Sequence, residues 1–169
     1  MSDFSKCLRY VLSNEDSTGA CKTVPDSPEG CFAISGVNSR SWPSEFAAIN
    51  ALPQDKRLPA VVSFYERRYW TPNVEGITSN NIAAYLLDAS VNQGTGTAVR
   101  MLQNALRAIG EPVEVDGLLG INTRLAVNSV PVDRLLNAFM IERIGSYKAI
   151  GGPNLPGWLA RAQRMPNLD

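Results

Sequence analysis

The stretch NNIAAYLLDASVNQGTGTAVRMLQNALRAIG, residues 80–110, decides the fold class. From Asn80 to Asn92, the residues Ile82, Ala83, Leu86, Leu87 and Val91 share one helical face, and Asn81, Tyr85, Asp88 and Asn92 form a narrow polar stripe opposite. Gln93-Gly94-Thr95-Gly96 reads as a stop. A second helix is predicted from Thr97 to Ile109, with Val99, Leu102, Ala105, Leu106 and Ile109 on one face, Arg100, Gln103 and Arg107 on the other, and Gly110 at its end.

The same period extends in both directions. Phe4, Cys7, Leu8, Val11 and Leu12 predict a first helix over Asp3–Leu12, capped by Ser2 or Asp3 and ending near Ser13. From Asn14 to Pro43 the periodicity collapses into Gly, Ser, Pro, Asp and Asn, which predicts a long loop or irregular hairpin with Cys31–Ile34 as its one candidate strand. Structureless stretches of this length usually serve function. Helices follow at Ser44–Leu52 and from Pro59 to Tyr69, punctuated by Pro53 and Pro72. Beyond the turn signal at Glu111–Gly117, helices resume at Asn122–Asn128, Val132–Ile150 and Pro156–Arg164. The sum is seven or eight helices and almost no sheet.

A length of 169 residues with 44% hydrophobic composition suits one core with a small C-terminal subdomain. Sixteen basic residues balance sixteen acidic ones, so the electrostatic footprint of a nucleic-acid binder is missing and no such partner is expected. The N-terminus shows no basic stretch leading into an apolar run, and no apolar stretch approaches about 18 residues. The expectation is a chain made in the cytoplasm without a signal peptide or integral membrane segment, which needs another route to reach a cell-wall target. Cys7, Cys21 and Cys31 are an odd set without paired spacing, and no histidine accompanies them. That argues against zinc, and no metal or cofactor is expected. They are either idle thiols or include a Cys21–Cys31 bridge, which in an oxidising compartment would contribute roughly 3 kcal/mol.

Without histidine, the usual Ser-His and Cys-His nucleophile pairs are absent, and carboxylates are the acid–base groups that remain. This points toward glycosidic rather than peptide-bond cleavage, which calls for a carboxylic acid kept protonated by an apolar setting. Glu15 suits that role, because Leu8, Val11 and Leu12 can partly desolvate it while the long loop opens its other side. On spacing alone, a glutamate after a helix is more often a solvated surface residue. Asp16, Asp26 and Glu29 share the loop, either as base or electrostatic partner or as turn formers. The Asp88/Asn92 stripe either lines a polar groove for sugar hydroxyls and acetamido groups or belongs to a solvated face or buried network. Trp42, Tyr69, Trp70 and Trp158 are candidate stacking faces for sugar rings, or core.

The chain resembles the N-acetylmuramidases of glycoside hydrolase family 108, phage-type endolysins with a C-terminal peptidoglycan-binding region. Val11-Leu12-Ser13-Asn14-Glu15-Asp16-Ser17 holds a glutamate in register with that family's Leu-x-x-Glu-Gly-Gly. Phe64–Trp70, Leu87–Gly94 and Leu102–Leu106 are similar as well. Val115–Thr123 resembles the Asp-Gly-x-x-Gly-x-x-Thr turn of small peptidoglycan-binding modules, and Tyr147 with Pro156–Arg161 fits the C-terminal end.

The resemblance implies a lysozyme-like helical domain over 1–95 and a small helical peptidoglycan-binding subdomain over 96–169. It also implies hydrolysis of the β-1,4 bond between N-acetylmuramic acid and N-acetylglucosamine, with Glu15 as catalytic acid and Asp26 or Glu29 as assisting carboxylates. Candidate substrate contacts are Ser35, Tyr69, Asp88, Asn92 and Asp116. The expected setting is a monomer acting on peptidoglycan glycan strands in the periplasm or cell wall. Two departures matter: Asp16 and Ser17 replace the paired glycines, and Asp26-Ser27-Pro28-Glu29-Gly30 replaces Asp-Pro-Gly-Gly-x-Thr. Lost glycines imply a reshaped cleft, which keeps open a peptidoglycan-binding or secretion-assisting protein with impaired turnover.

Overall fold

The computed structural model describes residues 1–26 and 29–169; Ser27 and Pro28 of the diverged loop lie outside the described residues. Nine α-helices and one three-stranded antiparallel sheet are present among the described residues.

Helix α1 spans Phe4–Glu15, with the Asp3 carboxylate accepting from the Lys6 backbone N–H at 3.1 Å as its N-cap. It buries Cys7, Leu8 and Val11, spaced for one helical face. The helix runs further than the sequence predicts: Asp16 N–H donates to the Leu12 carbonyl at 2.7 Å, so Glu15 is the last residue of α1 and not a loop residue beyond it.

The segment read as a loop or irregular hairpin is a small sheet of β1 (Thr23–Asp26), β2 (Cys31–Ile34), which is the strand read from the sequence, and β3 (Val37–Asn38), in that order. Strand β1 is exposed along its whole length and contains Pro25, which an edge strand tolerates because it needs no inward N–H there. Neither alternation nor composition marks it as a strand. Thr23 pairs with Ile34 and Asp26 with Cys31. Cys21, two residues before β1, is therefore at the opposite end of the hairpin from Cys31, roughly five residues or 16 Å along the strand. Disulfide geometry requires Cα atoms within about 7 Å. The Cys21–Cys31 bridge is accordingly not formed, and all three cysteines are free.

Helices α2 (Pro43–Asn50) and α3 (Arg57–Tyr69) follow, separated by a turn of 3-10 helix at Gln54–Lys56, and α4 is a single turn at Pro72–Glu75. Helix α5 (Asn80–Gln93) is the axis of the molecule. Every residue from Ile82 to Ser90 is buried, Asp88 included, so the polar stripe read from the sequence is internal and not a solvated face. Helices α1, α3, α6 (Thr95–Ala108) and α8 (Val132–Ile150) pack around it. A single apolar core runs from Cys7 in α1 to Phe139 in α8, and the edge of Phe139 meets Tyr85 at 5.1 Å between ring centroids. Only Gly94, with φ +85°, separates α5 from α6, a tighter stop than the four residues expected.

Between α6 and α7 (Ile121–Ser129), buried Gln103 organises the turn. Its Nε2 donates to the Asp116 carboxylate at 2.7 Å and its Oε1 accepts from Gly117 N–H at 2.9 Å. Helix α9 (Leu155–Gln163) then packs on α8, and Tyr85 Oη donates to the Ala162 carbonyl at 2.6 Å. No helix among the described residues is long and apolar enough to cross a membrane.

Candidate active site

Glu15 sits where three elements meet. It ends α1, it lies against the β2–β3 turn, and it accepts a hydrogen bond from Arg161 Nη2 of α9. The turn is a two-residue connection between Ile34 and Val37 with positive φ at both Ser35 (+45°) and Gly36 (+83°), the backbone that right-twisted hairpins favour. Gly36 is required for a second reason. A Cβ there would meet the Tyr65 hydroxyl and come within 3.0 Å of Glu15 Cγ. The turn thus lies flat on the glutamate, and Tyr65, fully buried, donates its hydroxyl to the Ser35 carbonyl at 2.8 Å to fix it.

Arg161 joins this corner to the core. Its Nε donates to both Asp88 carboxylate oxygens, at 3.2 and 3.1 Å, and its Nη2 donates to Asp88 Oδ1 at 2.8 Å as well as to Glu15. Asp88, with no exposed surface, also accepts from Arg143 Nη2 at 2.6 Å and Asn14 Nδ2 at 3.1 Å. Arg143 is equally buried, donates to Tyr147 Oη at 3.1 Å, and lies 5.0 Å from the Tyr85 ring centroid. Tyr147 Oη in turn donates a hydrogen bond to Asn92 Oδ1 at 2.6 Å. Asp88, the two guanidiniums and, at the partly exposed outer end, the Glu15 carboxyl form one hydrogen-bonded cluster, and pairing of this kind is how the buried Asp88 and Arg143 charges persist.

Burial pushes the Asp88 pKa up, but hydrogen bonds and charge from Arg161 and Arg143 outweigh it and hold the carboxyl below its ordinary value. Burial likewise works against charge on Arg161, and Asp88 and Glu15 more than restore it. Asp16 is partly desolvated, yet hydrogen bonds from the Thr18 and Ser35 hydroxyls and the Cys21 N–H keep its pKa lowered. Its Oδ1 accepts from Thr18 Oγ1 at 2.7 Å, and its Oδ2 from Ser35 Oγ at 2.8 Å and Cys21 N–H at 2.9 Å. The residue standing where the paired glycines would begin is therefore the fastener of the loop.

The other expected site residues are placed differently. Asp88 is enclosed and contacts arginines where a sugar contact was expected, and Ser35 is buried with its hydroxyl committed to Asp16. Asp116 is exposed but its Oδ1 is engaged by Gln103 and by Leu118 N–H at 2.8 Å, which makes it a turn residue. Tyr69 belongs to an aromatic group with Trp42, Phe64 and Tyr65. Burial raises its pKa first, and the negative charge of Glu15 adds to this. Trp42 and Trp70 pack on Phe64 and Phe4 respectively. Asp26 pairs with Cys31 about three residues, roughly 10 Å, from the turn that covers Glu15. Its carboxylate accepts from Asn38 at 2.6 Å, and exposed Glu29 follows beyond that far end. Neither acid is brought beside Glu15. Asn92 is exposed and lines a separate cavity with Trp158.

Sequence reasoning missed Arg161, Arg143, Tyr65 and Gly36. For the arginines a signal exists: buried Asp88 lies in an apolar helix and needs cationic partners, though their positions, 55 and 73 residues away, are not encoded locally.

Residues 97–163 match the family model described as "Predicted Peptidoglycan domain". No curated protein matches the chain. Among solved structures, the chain is similar to that titled "Structure of Brucella abortus SagA", with a TM-score of 0.72 and 23% identity over 95% of this chain and 90% of that one. The architecture is mainly α, as expected from the sequence, and is shared with that structure; the match over 97–163 relates this part of the chain to a predicted peptidoglycan domain. Arg161, which holds Glu15, lies inside the matched region.

Proposed function

We propose that this chain is a peptidoglycan hydrolase that cleaves the β-1,4 bond between N-acetylmuramic acid and N-acetylglucosamine, with Glu15 as proton donor to the departing sugar oxygen. One observation carries this reading. A side chain of the region that resembles a peptidoglycan domain, Arg161, converges with Asp88 and the Gly36 turn on the single glutamate that the resemblance singles out. Residues 1–95 would supply the acid and residues 96–169 the arginine and much of the glycan contact.

Glu15 is partly exposed, at 18% of its side chain, so substrate can reach it while α1 and the turn exclude most water. Asp16 is held ionised by its four hydrogen bonds and supplies fixed negative charge next to Glu15 in the chain. Such charge favours the oxocarbenium-like transition state of glycoside cleavage. Asp26 and Glu29, at the far end of the hairpin, are not used as nucleophile in this reading.

The test is release of reducing ends from purified peptidoglycan by the native chain and by Glu15→Gln, with both proteins pelleted alongside the insoluble wall. General-acid loss costs typically 10²- to 10⁴-fold, so activity should fall by about that factor while pelleting persists. A second reading, a wall-binding protein without turnover, is favoured by one observation: one oxygen of the Glu15 carboxyl, Oε1, is already engaged by Arg161. Pelleting without sugar release by the native chain would establish it instead.

A further inference from the structure

We infer that the cavity between the end of β1 and helices α5, α8 and α9 is a binding subsite for a neutral, N-acetylated hexosamine unit of a glycan strand. The inference rests on the peptidoglycan reading above and extends it to residues away from Glu15.

The cavity holds about 520 Å³, within the range of small-ligand sites. Its wall includes Asp26, Asn92, Gln93, Ser146, Asn154 and Trp158, and among the described residues no lysine or arginine lines it. With one carboxylate and no cation, it is unsuited to an anionic ligand such as the free carboxylates of a peptide stem. Neutral amides and hydroxyls in this number match the alternating donors and acceptors of a sugar.

Trp158 supplies the flat surface. It is half-buried and stacked on Tyr147 at 5.6 Å and 23°, so one face of the indole is covered and its orientation is fixed. The other face is the platform on which the apolar side of a pyranose ring can lie. Gln93 adds a specific demand. Its Nε2 donates to Ser146 Oγ at 2.7 Å, but its Oε1 is buried without a partner among the described residues. A buried acceptor left unpaired costs free energy that an incoming N–H or O–H recovers, and an acetamido N–H is such a donor. Asn92 spends its Oδ1 on Tyr147, which leaves its NH₂ as a donor.

The cavity is also connected to Glu15. Trp158 and Arg161 are three residues apart on α9 and share a face. Asn92, Tyr147, Arg143, Asp88, Arg161 and Glu15 form one unbroken series of hydrogen bonds. Asp26, which also lines the cavity, is separated from the Glu15 corner by most of the length of β2. Two contacts so spaced suit a polymer.

The experiment is titration of the full chain with a tetramer of N-acetylglucosamine, followed by isothermal titration calorimetry. Saturable binding is expected, weakened at least tenfold in Trp158→Ala, several-fold in Asn154→Ala, and largely restored in Trp158→Phe. Asn154 is exposed and makes no side-chain cap bond, so its variant should fold normally; an unchanged urea midpoint checks this. The de-N-acetylated tetramer should bind at least tenfold more weakly. Equal binding by the native chain, Trp158→Ala and Asn154→Ala, or binding of the peptide stem in preference to the tetramer, would overturn the inference. Because this readout is equilibrium binding, it stands or falls separately from the hydrolytic reading, which the Glu15→Gln sugar-release assay decides.

Discussion

Arg161 binds Glu15 across 146 residues of sequence while forming a three-bond contact with Asp88, so one guanidinium ties the last residue of the first helix to the centre of the core. Removing it leaves Asp88 buried with Arg143 and Asn14 as its remaining partners. Breaking a buried pair from one side costs about 3–5 kcal/mol, and Arg161→Ala is expected to lose stability on that scale. Arg161→Lys restores the charge but not the planar fork, and should recover less than half of the loss. Urea unfolding of both variants at neutral pH is the measurement, and midpoints equal to that of the native chain would show that the cluster contributes nothing.

Acid sensitivity should trace to the same cluster. Asp88 has a folded-state pKa below its ordinary 3.8, because the two arginines outweigh its burial. The unfolded chain therefore binds the proton first as pH falls, and the stabilising contribution of Asp88 is full above about pH 4 and lost on the way down through the folded value. Asp16 acts with the same sign. Urea midpoints measured from roughly pH 7 down to pH 2.5 should fall most steeply below about 4. In Asp88→Asn the chain should start less stable at neutral pH and show a shallower acid limb. An equally steep limb in the variant would assign the effect to other carboxylates.

The helices were largely legible in the sequence because packing around one axis imposes a 3.6-residue period; α8 matches its expected bounds, Val132–Ile150. What was not legible shares a physical cause. Strand β1 is solvated on both sides and carries Pro25, so neither periodicity nor propensity marks it. Glu15 is singled out by the resemblance, since on spacing alone a glutamate at the end of a helix reads as a solvated surface residue; its partners come from the hairpin turn and from α9, through contacts that no local pattern encodes. Asp88 illustrates the limit well: a polar stripe on a helix looks the same in sequence whether it faces a groove or an arginine pair.

The thiols offer a direct check on the hairpin. Cys7 has no exposed surface, and burial pushes its pKa up to about 12; Cys21 is nearly as enclosed, whereas Cys31 is partly exposed. Thiolate is the reactive form, so Cys31 alone should react quickly with a thiol reagent in the native state and the other two only on unfolding. Mass spectrometry of the alkylated, non-reduced chain should find three modified cysteines after denaturation. Finding one would mean that Cys21 and Cys31 are bridged and the β1–β2 register is different.

Gly36 separates backbone strain from contact with the glutamate. Its φ of +83° disfavours any side chain, a cost of about 1–2 kcal/mol. Gly110, at φ +98°, carries the same kind of strain but has nothing within 4 Å of a built Cβ, whereas at Gly36 that atom meets the Tyr65 hydroxyl and Glu15 Cγ. Tyr65 is fully buried and bonded to Ser35, so it cannot yield without loss of its hydrogen bond. Gly110→Ala is thus expected to cost about 1–2 kcal/mol and leave sugar release unchanged. Gly36→Ala should cost a further 1–3 kcal/mol, roughly the overpacking range, and lower turnover by displacing Glu15. Equal losses in the two variants, with full turnover in both, would mean that the hairpin turn does not rest on the glutamate, and the corner described around Glu15 would have to be redrawn.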